Sequence, residues 1–321
     1  MFIRRFSVFL AQDTRNSVYT GKNGVLILAR SLFQMTDANP NQLPVAFQLQ
    51  FSDPVWRLVF EQVDTSPGLV VAELRNRDSQ TLTFTTVSLP PGKVVYETTP
   101  QLPFHSSLIG LWNGQALYHR FDNNRLPVPT ALGNVDLKTG QPRWEWPLHV
   151  LTGANAEQVW AQRASLTDLT TSPVVAFRLA DGEPVQTAEN PPVFNNSRLS
   201  FPVSYTMAST WWPVIDRFIK KQTLHQPIDS IDYLEIGDKL IFSYYYRETN
   251  DQLHASVLIT DRLRTIWLHQ KTGQDFETAR PLSESNAQPL VGNGSFCVWQ
   301  NQIIIQTTST CLTSYYLTPM P

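Results

Sequence analysis

Two adjacent tryptophans, Trp211 and Trp212, are the most suggestive feature of the sequence for binding. Successive side chains of a strand point to opposite faces, so the two indoles cannot both enter one core. One would pack inside, and the other would cover an edge or serve as a platform for a ligand or partner. Trp211 and Trp212 are therefore candidate binding residues.

A second candidate site is polar. His119 and Arg120 are adjacent, and Asp122 follows two positions later. Imidazole, guanidinium and carboxylate groups can together bind a polar ligand, and the same three residues are equally ordinary at a solvent-exposed strand end. His119, Arg120 and Asp122 are binding candidates with that alternative open.

Pairs of aspartates point to a different chemistry, since two carboxyl groups that flank a glycosidic bond can act as acid and base. Asp229 and Asp232 are close in sequence, and Asp216 and Asp238 lie in the same region. Aspartate is far more often a turn or cap residue. An enzyme of this kind, a carbohydrate-directed hydrolase or lyase, is therefore the alternative function.

Other catalytic signatures are missing from the sequence. It contains no Gly-x-Ser-x-Gly elbow and no His-Glu-x-x-His motif, and its six histidines show no ligand spacing. Cys297 and Cys311 could face each other on neighbouring strands, but two buried free thiols are the favoured interpretation. We therefore predict no metal, no cofactor and no disulfide.

The composition favours a folded domain without nucleic-acid or membrane-spanning chemistry. Hydrophobic residues make up 42% and charged residues 16% of the 321 residues, and the net charge is −2. Nucleic-acid-binding proteins usually carry a basic excess, whereas the basic cluster of Arg217, Lys220 and Lys221 suits a solvated turn. No apolar run approaches the ~20 residues of a membrane span or makes a convincing secretory signal, so we predict a cytoplasmic protein.

The N-terminal part of the sequence differs from the rest. Residues 1–34 lack the alternating pattern that begins after Pro44. This difference predicts a poorly packed extension over residues 1–44, with Met35 as an alternative initiator. One domain would follow over residues 45–321.

Internal repeats organise that domain. Three turns share the pattern of a strand, a glycine and a returning strand, with the glycines at Gly92, Gly140 and Gly182. Glycine supplies the positive φ that such a tight turn needs. Anchor residues recur 48, 41, 39 and 43 residues apart, at Tyr96, Trp144, Val185, Leu224 and Trp267. A four-stranded propeller blade repeats at about 40–50 residues, so the repeat predicts a β-propeller.

Local patterns place strands within this repeat and close it. Four strands are predicted at 56–61, 69–75, 81–89 and 93–97, four more between 233 and 269, and a short helix from Trp212 to Lys221. An orphan strand at 45–51 precedes the first blade, and pairing it with the C-terminal strands would remove exposed edges. The prediction is an all-β fold of about six four-stranded blades, with five to seven open. An irregular pair of β-sandwiches is the alternative.

One turn carries a family resemblance. The segment Asp136-Leu-Lys-Thr-Gly140-Gln-Pro-Arg-Trp144 resembles the repeat of quinoprotein-like propellers, whose blades carry an Asp, a Thr-Gly turn and a docking Trp. The layout from about residue 51 to 318 is similar to a bacterial domain-of-unknown-function family, from which no catalytic residues carry over. The resemblance also suggests a quinone-dependent dehydrogenase, but Cys297 and Cys311 do not match the adjacent cysteines that such enzymes often carry.

The leading functional hypothesis is a monomeric, non-enzymatic binding or scaffold module. Propellers place loops around a central channel, and such rims commonly hold a protein or a small ligand. An exposed apolar patch around Trp211 would favour a partner-binding module. Acids with raised pKa values at the channel would favour the carbohydrate enzyme.

Overall fold

The computed structural model describes residues 18–20, 26–28, 43–62, 68–122, 128–164, 172–186, 198–248, 252–261, 265–272 and 295–318. Contacts divide the chain into two compact units. The central unit is residues 53–197, and the terminal unit joins residues 1–52 to residues 198–321. Both are built from antiparallel sheets, so the chain is all-β as predicted.

Three strands precede the central unit. They are β1 (Val18–Thr20), β2 (Leu26–Leu28) and β3 (Val45–Gln50). β1 and β2 pair with each other within the predicted N-terminal extension. Most of that extension, including Met35, lies outside the described residues.

The central unit contains three four-stranded sheets, and in each sheet every strand pairs with the next one in the chain. Sheet 1 comprises β4 (Val55–Phe60), β5 (Gly68–Asn76), β6 (Thr81–Leu89) and β7 (Lys93–Thr98). Sheet 2 comprises β8 (Ser107–Trp112), β9 (Gln115–Arg120), β10 (Ala131–Val135) and β11 (Pro142–Pro147). Sheet 3 comprises β12 (His149–Ala154), β13 (Gln158–Arg163), β14 (Val175–Arg178) and β15 (Pro184–Val185).

The terminal unit contains two five-stranded sheets and a helix. Its first elements are β16 (Leu199–Ser200), β17 (Val203–Thr206) and α1 (Trp212–Thr223). They are followed by β18 (Pro227–Ile236), β19 (Lys239–Arg247), β20 (Leu253–Thr260) and β21 (Thr265–Thr272). The last strands are β22 (Phe296–Trp299), β23 (Gln302–Thr308) and β24 (Cys311–Tyr316). Sheet 4 has the order β17-β18-β19-β20-β21, and sheet 5 has the order β16-β22-β23-β24-β3.

The predicted strands are confirmed at both ends of the repeat. Sheet 1 contains the four strands predicted between residues 56 and 97, and β18 to β21 contain the four predicted between 233 and 269. β3 pairs antiparallel with β24, with Leu49 opposite Leu312, as predicted for the two terminal strands. Phe47 and Leu49 of β3 are buried while Gln48 and Gln50 are exposed, which is the alternation of a strand with one face in the core.

The three repeat glycines have the positive φ predicted for them, 82° at Gly92, 72° at Gly140 and 74° at Gly182. Trp144 of sheet 2 packs against the last of these turns, in sheet 3. A Cβ atom at Gly182 would lie 2.7 Å from Trp144 Cγ, so the indole occupies the space that any other residue would need. The Trp144 indole N–H also donates to the Leu179 carbonyl at 2.9 Å.

The repeat fails where one further blade was predicted. The anchor expected at Leu224 directly follows α1, with a φ of 66° and 92% of its surface exposed. The short strands before the helix extend existing sheets, because β16 pairs with β22 and β17 pairs with β18. The described residues therefore form five sheets of four or five strands, and the sixth blade predicted in this region is not among them.

Apolar side chains fill the spaces between successive sheets. Sheets 1 and 2 share one cluster, sheets 2 and 3 a second, and sheets 4 and 5 a third. Buried pairs in these clusters are Phe84 with Leu108, Leu117 with Val159, and Ile259 with Ile303. Burying each such side chain stabilises the fold by about 1.5–3 kcal/mol, which explains why the central strands are apolar on both faces.

Two buried carboxylates also join sheets 1 and 2. Glu73 on β5 accepts a hydrogen bond from the Leu108 backbone N–H at 2.8 Å and another from Ser107 Oγ at 3.2 Å, and it pairs with Arg75 at 2.6 Å. Glu61 accepts two backbone N–H groups of the β8–β9 turn, at 2.8 and 3.0 Å. Because a buried charge needs such partners, both carboxylates connect one sheet to the next.

Candidate functional site

Helix α1 begins at the tryptophan pair. The Trp212 N–H donates to the Ser209 carbonyl at 3.0 Å and closes the turn before the helix. Pro213 lies in the first helical turn, where its missing N–H has no intrahelical partner to lose. The predicted helix is confirmed and continues to Thr223. It ends at Leu224, whose left-handed backbone turns the chain out of the helix.

The two tryptophans have opposite environments. Trp212 is 7% exposed and packs with Ile231, Phe242 and Leu258 of sheet 4. Trp211 is 62% exposed, and its side chain makes no capping hydrogen bond to the helix. The pair lies at the start of a helix and not in a strand, because the proline that follows fixes a helical φ.

Exposed apolar side chains gather around this helix. Thirteen large apolar residues are exposed in the described part of the chain, and six of them fall between residues 201 and 224. These six are Phe201, Val203, Met207, Trp211, Val214 and Leu224. Together with the exposed cations Arg217 and Lys221, they are called the α1 surface below. Such a concentration of apolar side chains usually marks a binding site.

The charged residues of α1 fall into two groups. Asp216 pairs with Lys220 at 2.8 Å, one helical turn away. Arg217 and Lys221 are exposed and make no ion pair within the described residues. The interpretation of this basic cluster as a turn was wrong, because the cluster occupies the C-terminal half of α1. The helix dipole favours positive charge near that end.

A stack of rings continues from the end of α1. His225 lies face to face with Tyr246, with 3.8 Å between the ring centroids, and His254 stacks on Tyr246 at 5.2 Å. His225 Nδ1 lies 3.0 Å from the Tyr244 hydroxyl. Burial lowers the pKa of His225 and raises that of Tyr246. At neutral pH these two rings are therefore uncharged, and they join the segment after the helix to sheet 4.

His119 is enclosed between sheets 2 and 3. Its Nε2 accepts the Leu151 backbone N–H at 3.2 Å, so the side chain of β9 contacts the backbone of β12. Burial, followed by the nearby charge of Arg57, lowers the pKa of His119 to about 4. The imidazole is therefore neutral at physiological pH and is used as a hydrogen-bond acceptor.

Arg120 and Asp122 make contacts within sheet 2. Arg120 pairs with Glu145 at 2.5 Å, and the Tyr118 hydroxyl donates to the same carboxylate at 2.9 Å. Asp122 accepts the Thr130 hydroxyl at 3.0 Å. Since neighbouring residues of β9 point to opposite faces, the structure does not bring the imidazole and the guanidinium of this candidate cluster to one point.

The aspartates that suggested glycoside chemistry have separate contacts. Asp232 is buried and accepts hydrogen bonds from the hydroxyls of two serines. Asp216 and Asp238 each pair with a lysine, at 2.8 and 2.7 Å. Asp229 has a φ of 62° at a bulge of β18. These contacts are those of ion pairs, bulges and buried hydrogen bonds.

Cys297 and Cys311 are free, buried thiols in sheet 5. They lie on β22 and β24, which are separated by β23, so the suggestion that they face each other on neighbouring strands was wrong. Burial raises the pKa of Cys297, which keeps it protonated. Among the described residues, no three His, Cys, Asp or Glu side chains approach one another closely enough to hold a metal ion.

A cavity of about 350 Å³ lies in the central unit, where the β8–β9 turn of sheet 2 meets sheet 3. Residues that line it include Asn113, Gln115, Glu157, Gln158 and Arg178. Arg178 already pairs with Asp181 at 2.5 Å. This cavity has the size of a small-molecule site, and none of the binding candidates predicted from the sequence is among its lining residues, although the repeat anchor Val185 is.

The sequence analysis identified Trp211 but missed the rest of the α1 surface. A helical projection from Trp212 onwards contains the missing signal, because it places Val214 with Arg217 and Lys221, opposite Trp212 and Ile219. An apolar residue among charges on the outward face of a helix marks a surface with more than a solubilising role.

Comparisons with known proteins give no match for this chain, neither to a protein-family model nor to a curated protein. Within the described residues, no helix has the length and apolar character required to cross a membrane.

Proposed function

We propose that the chain is a non-enzymatic binding module whose α1 surface contacts a macromolecular partner. The observation that carries this proposal is the concentration of six of the thirteen exposed large apolar residues between residues 201 and 224. Exposing that much apolar area to water is unfavourable, by about 25 cal/mol for each Å². A partner that covers the surface removes this cost, which is the physical reason to expect one.

The arrangement of these side chains favours a large partner over a small ligand. Met207 is 65% exposed and Trp211 62%, so both project from the surface and do not line a cavity. A small molecule gains most of its affinity by being enclosed in a cavity. Projecting side chains instead suit a partner with a broad surface into which they can insert.

The carbohydrate-directed hydrolase or lyase is supported less well. That chemistry needs two carboxyl groups directed at one bond, with one of them holding its proton at neutral pH. Asp216 and Asp238 are paired with lysines, and Asp232 is enclosed by serine hydroxyls. Each carboxylate therefore has a structural partner in place of a shared substrate site.

The fold we propose for this module is a β-propeller. The support for it is that sheets 1 to 3 are consecutive four-stranded meanders, and that β3 completes sheet 5 beside β24. Five sheets of four or five strands in the described residues favour five blades, the lower end of the predicted range. The quinoprotein-like resemblance of the 136–144 turn remains a prediction.

Site-specific photo-crosslinking in cells tests the proposed contact. A photoreactive benzoyl-phenylalanine at position 211 should give a covalent adduct with its partner, either a protein or a lipid, detected as a mass shift and identified by mass spectrometry. The matched control carries the same group at Tyr96, which is also exposed but lies on β7 of the central unit. Equal adducts at both positions, or none at position 211, would contradict the proposal.

A further inference from the structure

Four exposed residues follow one another at helical spacing, Trp211 at the start of α1 and Val214, Arg217 and Lys221 within it. Steps of three and four residues place side chains on one face of a helix. The other face carries Trp212 and Ile219 into the core against sheet 4. The outward face thus carries two apolar side chains and then two cations, and the exposed Leu224 follows the helix at its C-terminal end.

The charge of this segment is opposite to that of the chain. Residues 201–226 contain Arg217, Lys220 and Lys221 but only one acid, Asp216, so the segment carries +2 while the whole chain carries −2. Asp216 is already paired with Lys220. Arg217 and Lys221 have no ion-pair partner among the described residues, so their charge is available to an anionic partner.

Three apolar side chains of the α1 surface project at a turn of the chain or at an end of the helix. Met207 lies in the turn after β17, Trp211 at the start of α1 and Leu224 just after its end. Leu224 is 92% exposed, so its side chain stands clear of its neighbours. A folded protein would need a matching pocket for each projection, whereas a lipid layer closes around any of them.

We propose that the α1 surface attaches the protein peripherally to an anionic membrane surface. This inference rests on the proposed function and names its partner. Arg217 and Lys221 contact lipid phosphates, while Trp211 and Leu224 enter the headgroup region, where indole rings are enriched. The cytoplasmic leaflet carries the required negative potential, in keeping with the predicted cytoplasmic location.

A second copy of the chain fits this surface less well. In a two-fold contact the same patch of both copies forms the interface, so each residue meets another residue of that patch. The patch offers no free carboxylate to Arg217 and Lys221, because the one acid nearby is already paired with Lys220. The remaining occupant, an acidic and apolar protein segment, is distinguished by the experiment below.

Co-sedimentation of the full-length chain with vesicles tests the inference. One set of vesicles is phosphatidylcholine alone, and the other contains equal parts of phosphatidylcholine and phosphatidylglycerol. We expect binding to the anionic vesicles only, and weaker binding as salt is added, because salt screens exposed charges. Equal binding to both sets, or no binding to the anionic set, overturns the inference.

The cations are tested by neutralising them. Arg217→Gln combined with Lys221→Gln should lower partitioning onto anionic vesicles by about tenfold or more, since each cation near the surface contributes to binding. The matched control is Lys93→Gln combined with Lys138→Gln, two exposed lysines of the central unit. If the two double variants bind alike, the charge of α1 has no role in attachment.

The apolar ends are tested with a variant designed to keep the helix intact. Trp211→Ser places a favourable N-cap residue at the helix start, and Leu224→Asn suits the left-handed backbone there. This double variant should also lose about tenfold in partitioning, on the order expected for withdrawing two apolar anchors. Val95→Ser combined with Tyr96→Ser on β7 is the control that should bind normally.

The combined results separate this inference from the proposed function. A protein adduct at position 211 without vesicle binding means that the partner is a protein, so the membrane inference fails and the binding module stands. No adduct at position 211 and no vesicle binding means that both fail. Vesicle binding that both α1 variants lose, and both controls keep, supports the inference.

Discussion

Charged side chains are paired inside the fold between sheets 1 and 2, whereas those of the α1 surface face solvent. Between the sheets, the buried Glu73 pairs with the partly buried Arg75 and also accepts hydrogen bonds from the next sheet. On α1, Arg217, Lys221 and Trp211 face solvent. A buried charge without partners costs several kcal/mol, so the sheets must satisfy theirs internally. The exposed groups of the helix pay no such burial cost, so Arg217, Lys221 and Trp211 remain available to bind a partner.

Removing Glu73 should have the largest effect on stability. Glu73→Ala removes the fully buried carboxylate that pairs with Arg75 and accepts hydrogen bonds from the Ser107 hydroxyl and the Leu108 N–H, so we expect the free energy of unfolding to fall by about 3–5 kcal/mol in urea titrations. Arg143→Ala is the control, because its ion pair with Asp136 is exposed and should contribute about 1 kcal/mol or less. If both variants lost a similar free energy of unfolding, the buried and the exposed ion pair would contribute equally to stability, contrary to this prediction.

The tryptophan pair allows the same comparison, of a buried with an exposed side chain, at the start of one helix. Trp212→Ala should lower the free energy of unfolding by about 3–5 kcal/mol, because it leaves a cavity against sheet 4. Trp211→Ala should change it by no more than about 0.5 kcal/mol, since that indole is exposed. Denaturant unfolding of the two variants measures both values. A large loss at Trp211 would make it a structural residue and weaken its assignment to a binding surface.

His119 predicts a pH dependence of stability. The unfolded histidine titrates near 6.5 and the folded one at about 4, so between these values the unfolded chain binds the extra proton. Stability present above pH 6.5 is therefore lost as the pH falls towards 4, by about 3 kcal/mol at ~1.4 kcal/mol for each pKa unit. Urea titrations at several pH values should show a shallower dependence for His119→Gln. Parallel curves for the two proteins would show that His119 is not the cause.

The smallest expected effect on stability is at a glycine of the repeat turns. Gly182→Ala meets both a positive φ and the indole of Trp144, whereas Gly237→Ala meets a positive φ of 59° with no atom within 4 Å of the added Cβ. The first substitution should therefore cost about 1–3 kcal/mol more than the second, because only it overfills a packed contact. Thermal unfolding of the two variants measures the difference. Equal costs would mean that the backbone alone requires glycine at this turn.

The fold was predictable where local patterns agree with tertiary pairing. The alternation of β3 and the glycine turns at Gly140 and Gly182 led to the correct strands and to the β3–β24 pairing. The step to Leu224 failed because a repeat length says nothing about whether the next residues form a blade, and Pro213 starts a helix there instead. Of the candidate site, only Trp211 was found from sequence. Exposure of Val214 depends on which helical face sheet 4 covers, and exposure of the residues outside the helix depends on how their strand and turns pack, so both are set by tertiary packing.

The pairing of β3 with β24 also has a consequence for synthesis. Gln48 and Cys311, whose side chains meet at 3.4 Å, are 263 residues apart in the chain. At about 5–20 residues per second, a ribosome needs roughly 13–50 s to make the second strand after the first. During that interval β3 lacks its neighbour and can pair with the wrong chain. Among the described strands, β3 therefore waits longest for its partner, and it is the segment of the nascent protein that a chaperone would most need to shield.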